Sequence, residues 1–177
     1  MECNGQWNIL SLKEAGIHIE IPEPHNTLEA NAREKSSTIY HLTHRDCFSE
    51  DTGLEVDALD GAPGVRSARY AGEHAGYDEN TRKLLADMQG KTRRNASFRT
   101  VISLFRKGVE YQFEGISRGT IIEEKRGEAG FGYDPVFVPE GDTRTFAEMN
   151  TAEKNKYSHR KKAMDKLISF LANKNGR

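Results

Sequence analysis

Asp46-Cys47-Phe48-Ser49-Glu50-Asp51-Thr52-Gly53-Leu54-Glu55-Val56-Asp57-Ala58-Leu59-Asp60-Gly61-Ala62-Pro63-Gly64 is the segment on which the fold turns. A short β-type run ends in two adjacent carboxylates and passes straight into Thr52-Gly53. Leu54 to Leu59 then alternates apolar and polar residues like a half-buried strand, and Gly61-Ala62-Pro63-Gly64 breaks the pattern. This spacing predicts a turn that holds Glu50 and Asp51 at the end of a strand. Charge between apolar flanks is costly unless it is used. Oxygen ligands suit Mg²⁺, and a metal gripped there binds a polyphosphate and activates a water.

On the N-terminal side, Trp7 to Leu12 reads as a short strand. Asn26-Thr27-Leu28-Glu29 has the form of a capping box, with Asn26 as the polar cap and Glu29 three residues on. The helix it opens runs to about His44, with Leu28, Ala32, Ile39 and Leu42 on one face. On the C-terminal side, Asp78 is read as the cap of a helix carrying Leu84, Leu85 and Met88, which Gly90 stops. Phe98–Phe105, the turn Lys107-Gly108 and Val109–Ile116 form a hairpin that Gly119–Ile122 extends. Phe131-Gly132-Tyr133-Asp134-Pro135 is a loop before the short strand Val136-Phe137-Val138. Ser158 caps a last helix whose apolar face is Ala163, Met164, Leu167, Ile168 and Leu171. Strands with interspersed helices predict an α/β fold with a mixed sheet.

The chain has 177 residues, 36% hydrophobic and 30% charged, which is enough for one core and predicts a single domain over 1–177. A net charge of −1 gives no broad attraction to nucleic acid or to an anionic membrane. Cys3 and Cys47 have no zinc-type spacing, and Cys47, within an apolar strand, is expected to be a buried reduced thiol. No run of 18 apolar residues and no signal peptide is present, so a cytoplasmic location is expected.

Four acids are candidates for chemistry: Glu23, in a stretch that Pro22 and Pro24 hold extended, Glu50 and Asp51, and Asp134. Three of them meeting from separate loops would suit one Mg²⁺. The cationic candidates are Lys35, Lys154, His159 and Arg160. With Ser158 as N-cap, His159 and Arg160 stand in the first helical turn, where the helix dipole disfavours cations. Free N–H groups and basic side chains together make an anion site there, or else a basic surface patch. Phe131 and Tyr133 are either ordinary core residues or, with Gly132 letting the backbone approach, a platform for a base. Neither a dinucleotide fingerprint nor a GxxxxGK[ST] loop, GxSxG elbow or HExxH helix occurs.

Taken together, Ile21-Pro22-Glu23, Thr27-Leu28-Glu29-Ala30-Asn31-Ala32 with Lys35, Ser49-Glu50-Asp51-Thr52-Gly53-Leu54, Gly61-Ala62-Pro63-Gly64-Val65 with Ser67-Ala68-Arg69-Tyr70, Gly130-Phe131-Gly132-Tyr133-Asp134-Pro135, and Lys154 with Ser158-His159-Arg160 resemble the inosine triphosphate pyrophosphatase family in order and spacing. The resemblance covers about residues 6 to 172 and implies an elongated mixed sheet flanked by helices, in two lobes with a central cleft. It also implies Mg²⁺-dependent hydrolysis of ITP, dITP and XTP to the monophosphate and pyrophosphate by a homodimer. By resemblance Asp51 is the catalytic base, and Glu23 with Asp51 or Glu50 holds Mg²⁺. Phe131 stacks on the purine, Gly132 belongs to the same binding loop, and Tyr133 and Asp134 line the base and ribose. Lys154, His159 and Arg160 read a 6-oxo group, while Lys35 and Thr52 touch phosphates. A donor-rich pocket accepts a 6-oxo purine, and unpaired donors reject adenine.

Two departures from the family pattern stand out. The opening apolar strand and a Thr-x-Asn-x-x-Lys phosphate turn are not found, so the chain reads as N-terminally shortened. Each charge-assisted hydrogen bond that such a turn gives to a phosphate is worth roughly 1.5–3 kcal/mol. Glu50 also stands where the family usually has Asp. The second expectation is therefore a truncated, catalytically weak nucleotide-binding or dimerisation module.

Overall fold

Lys107 and Gly108 both take positive φ, 50° and 79°, which gives the tight reversal on which the sheet is built. In the computed structural model, which describes residues 2–3 and 7–173, the elements in chain order are β1 (Glu2–Cys3), β2 (Trp7–Asn8), α1 (Leu28–Thr43), β3 (Cys47–Val56), β4 (Pro63–Gly64), α2 (Tyr77–Asp87), β5 (Asn95–Arg106), β6 (Val109–Ile121), β7 (Phe137–Pro139), α3 (Thr151–Lys154) and α4 (His159–Asn173). β5 and β6 form the hairpin, and the sheet order is β4-β3-β5-β6-β7. The α/β class stands. The expected mixture of strand directions is corrected, because every pairing in this sheet is antiparallel. β5 and β6 are joined by a tight turn that permits no other direction.

The acidic segment is not a turn. β3 runs unbroken through Glu50-Asp51-Thr52-Gly53, with Glu50 opposite Ile102 and Asp51 opposite Val101 on β5. Gly53 is there for close approach, since a Cβ would lie 2.5 Å from the Gly64 carbonyl oxygen of β4. Leu54 to Leu59 is likewise not one strand: β3 ends at Val56 and Asp57–Leu59 is a 3₁₀ turn.

A strand sends successive side chains to opposite faces. From β3, Cys47 and Ser49 bond to Ser36 and Ala32 carbonyls of α1. Phe48 packs with Ile102, Leu104, Ala163 and Leu167 on the α4 side. The register with β5 continues this division. Ser103 meets Ser36 at 2.7 Å and Phe105 stacks on Tyr40, while Phe98, Leu54 and Val56 join a second apolar cluster on the opposite face. α4 lies directly on β6, where a Cβ at Gly115 would collide with the His159 carbonyl.

Local expectations fared unevenly. Ser158 caps α4, accepting from Lys161 N at 3.2 Å, and Ala163 and Leu167 are buried as expected. The α1 cap is Thr27, not Asn26: its hydroxyl accepts from Ala30 N, while Glu29 is drawn to Arg99 on β5. Leu42 is exposed rather than on the buried face. Gly76 caps α2, and Asp78 lies inside the first turn, paired with Arg82 and Lys125. Only Trp7–Asn8 of the first strand candidate is extended, because Glu14 takes both the amide and the hydroxyl of Ser11 and turns the chain. Cys47 is half-buried, and burial, with Asp46 adding to it, pushes its thiol up to about 11. Cys3 has no described side chain.

Candidate active site

On the α1 face of β3, charges from three segments meet. Asp51 is 8% exposed, and its Oδ1 accepts from Lys35 Nζ at 2.9 Å. The same Nζ donates to Glu23 Oε1 at 2.8 Å. One helix turn of α1 and the extended Pro22–Pro24 stretch thus bring two carboxylates onto one cationic point. Burial raises the Asp51 carboxyl, and Lys35 only partly offsets it. Burial also pushes Glu23 up, but Lys35 and Arg69 outweigh that effect and leave it below the usual range. For Lys35, burial opposes the charge and the two carboxylates overcome it, so its pKa is raised. A buried carboxylate with a raised pKa, aligned by a lysine, has the character of a general base.

On the other face a cavity of about 640 Å³ is lined by Thr52, Phe98, Phe131, Tyr133, Lys154 and Arg160, among others. Phe131 is 51% exposed, a ring held open to solvent, with Lys154 Nζ 5.0 Å and the Arg160 guanidinium 5.6 Å from its centroid. Each cation has its own carboxylate. Lys154 donates to Asp134 Oδ2 at 2.5 Å, and Arg160 Nε donates to Glu50 Oε1 at 2.8 Å. Asp134 Oδ2 also accepts from the Phe131 amide at 3.0 Å and so fixes the loop. Gly132 takes φ 61° and accepts from Thr81 Oγ1 through its carbonyl. Tyr133 is buried, its hydroxyl donating to the Ser67 carbonyl at 2.9 Å, and burial raises its phenol pKa.

The sequence candidates therefore fall into two groups. Glu23, Asp51 and Lys35 meet on one face, and Phe131, Gly132, Tyr133, Asp134, Lys154, His159, Arg160 and Thr52 line the cavity on the other. Three expectations are corrected, those for Glu50, Asp134 and His159. Glu50 does not join Asp51, because neighbouring strand residues point apart and Arg160 holds its carboxylate. Asp134 is taken up by Lys154 and the loop amide, and among the described residues no three His, Cys, Asp or Glu side chains converge as a metal site. Thr52 lies on the cavity face, sharing a 2.7 Å hydrogen bond with Thr100. His159 is not a cation: burial, reinforced by Arg160, Lys154 and Lys162, pulls it down to about 3. Its ring stacks on Phe98 at 4.9 Å and 9°, and its buried Nδ1 has no partner among the described residues.

Two contributors carried no role in the sequence reading. Asn31 is fully buried; its Oδ1 accepts from His25 N at 2.9 Å, and its Nδ2 donates to the His25 carbonyl and, over 3.4 Å, to Asp51. It ties the Glu23 segment to the strand that bears Asp51. Arg69 reaches Glu23 from the turn after β4 at 3.5 Å. A sequence signal existed for Asn31, four residues before Lys35 and so on the same helical face. For Arg69 the signal was its place in the Ser67-Ala68-Arg69-Tyr70 motif of the resemblance, which named no partner for it.

The profile of the Ham1 family matches residues 2–170. A dITP/XTP pyrophosphatase of Flavobacterium psychrophilum is 49% identical over 165 residues, covering 93% of this chain and 87% of the relative. The dITP/XTP pyrophosphatase of Porphyromonas gingivalis is 49% identical over 168 residues, covering 94% and 87%. Among solved structures, the Staphylococcus aureus Ham1 protein superposes with a TM-score of 0.93 at 35% identity, covering 97% of this chain and 90% of that one. A nucleoside-triphosphatase / dITP/XTP pyrophosphatase from Mycobacterium abscessus gives 0.79 at 40% identity, covering 89% and 85%.

Proposed function

The chain belongs to the Ham1 family, and from that premise we propose that it hydrolyses dITP, ITP and XTP to the nucleoside monophosphate and pyrophosphate, clearing these non-canonical purines from the nucleotide pool. The observation that carries the reading is the convergence of Glu23 and Asp51 on one point 2.8 and 2.9 Å away, opposite an aromatic–cationic cavity.

Hard carboxylate oxygens aimed at a single cation suit a divalent ion with few protein ligands, and the donor set fits Mg²⁺. Glu23 and Asp51 would hold it, and it would supply charge neutralisation for the phosphate oxygens. Lys35 then leaves the carboxylates for the phosphates, to which its ammonium is matched. Asp51 takes a proton from water, the water oxygen bonds to the α-phosphorus, and the bond to the bridging oxygen breaks to release pyrophosphate.

Phe131 supplies the stacking surface, with Tyr133 and Asp134 lining the base and ribose region. Lys154 and Arg160 donate to the 6-oxo group, and neutral His159 offers a further ring nitrogen. Adenine brings a 6-amino donor to the same donors and leaves them unpaired. Beyond its pairing with β5, β3 meets β4 only at Leu54 and Glu55, so the edge from Cys47 to Gly53 has no strand partner among the described residues. That edge gives a nucleotide a path from the base cavity to the carboxylates. No helix among the described residues is long and apolar enough to cross a membrane. A homodimer in the cytoplasm, built from a single domain per chain, completes the reading, and sedimentation checks the assembly.

Release of pyrophosphate from dITP with Mg²⁺ tests the function. Fast turnover of dITP and slow turnover of dATP is expected. Inosine nucleotide bound without pyrophosphate release would establish the weak binding module instead.

A further inference from the structure

We infer that Glu50 is a positioning residue for Arg160, setting the guanidinium against the Phe131 ring, and is not a metal ligand. This rests on the reading of the cavity as the purine site.

Strand alternation decides the side. Glu50 shares the face of β3 with Thr52 and Leu54, which line the cavity, whereas Asp51 projects toward α1. Arg160 stands in the first turn of α4, where a cation is disfavoured by the helix dipole. Glu50 Oε1 at 2.8 Å from Nε supplies the missing counter-charge. It binds the guanidinium through Nε, and the two terminal nitrogens have no partner among the described residues. Those are the nitrogens free to donate to a base.

The arrangement is duplicated within the cavity. Asp134 holds Lys154 at 2.5 Å and that ammonium lies 5.0 Å from the Phe131 centroid, while Glu50 holds Arg160 at 2.8 Å and that guanidinium lies 5.6 Å from the same ring. Two carboxylates thus aim two cations at one aromatic surface. The height of Arg160 above the sheet is fixed separately, by the contact of α4 with Gly115 of β6. The carboxylate has only orientation left to set.

Glu50→Gln, Glu50→Asp, Arg160→Ala and the Glu50→Gln/Arg160→Ala pair are compared in dITP and dATP turnover, Mg²⁺ half-saturation and calorimetric binding of inosine monophosphate. Both side chains are about two-fifths exposed, so Glu50→Gln is expected to lower the dITP-to-dATP ratio of kcat/KM and the affinity for the monophosphate by about fivefold. Mg²⁺ half-saturation stays as in the parent, Glu50→Asp restores part of the ratio, and Glu50→Gln adds nothing once Arg160 is gone. A raised Mg²⁺ requirement with unchanged base preference overturns the inference, as does a full Glu50→Gln effect in the Arg160→Ala background. If the parent releases no pyrophosphate from dITP, the functional reading fails by itself. Monophosphate affinity still judges Glu50, and equal affinities of the parent and Glu50→Gln overturn its role.

Discussion

The two faces of β3 handle charge in opposite ways. On the α1 side Lys35 is shared between two carboxylates, Glu23 and Asp51, and Asp51 is 8% exposed. On the cavity side each cation has a private carboxylate, and the pairs stand around a ring left 51% exposed. A shared cation can be exchanged for another, so the first arrangement suits metal and phosphate chemistry. Private pairs are fixed directions, so the second suits recognition. One strand serves both because its period of two divides adjacent residues between the faces.

The sharpest way to break this comparison is Asp51→Asn. Removing the base is expected to cut kcat for pyrophosphate release about 10²–10⁴-fold, with calorimetric affinity for inosine monophosphate retained. Equal losses of both would merge the two faces into one.

Lys35→Met comes next. It leaves two part-buried carboxylates facing each other, and melting at neutral pH should report a loss of about 2–3 kcal/mol. Glu23 is held low in the parent, so that stabilisation is present above the ordinary carboxylate pKa and is lost as pH falls through its folded value. Added Mg²⁺ without nucleotide is expected to restore the variant's melting temperature and to raise the parent's less. A variant indifferent to Mg²⁺ argues against an exchangeable cation site.

Phe131→Ala touches only the recognition face. Loss of a stacked base is expected to weaken nucleotide binding by about 1–3 kcal/mol, read as a higher KM with Mg²⁺ half-saturation unmoved. The smallest effect, per pH unit, belongs to His159. Its pKa is about 3 in the fold, so the unfolded chain binds more protons at mildly acid pH and stability falls as pH drops below the ordinary histidine value. The slope is about 1.4 kcal/mol per pH unit at most. Melting of His159→Gln between neutral and mildly acid pH should flatten by that amount, and an unchanged slope means that His159 is not held neutral.

What was legible in the chain was local. The Lys107-Gly108 reversal and the Ser158 cap arise from interactions within a few residues and stand in the structure; of the last helix's apolar face Ala163 and Leu167 are buried, while Ile168 is exposed. Two misreadings had a distant cause, and a third came from strand geometry. Glu29 left its expected capping role for Arg99, 70 residues away, and the cap moved to Thr27. Gly53 looked like a turn signal but is the place where β4 lies against β3. Glu50 and Asp51 looked like one acidic pair because a linear text does not show which face a residue takes.

The sequence by itself determined the inventory: the α/β elements, the acids and bases available, and the aromatic loop. These depend on propensity, period and composition, which each segment carries alone. Tertiary structure alone decided the partnerships, placing Glu23 with Asp51 around Lys35, Glu50 with Arg160, and the His159 ring on Phe98. Charge pairing and desolvation act across space between segments far apart in the chain, so they are fixed only when packing brings those segments together.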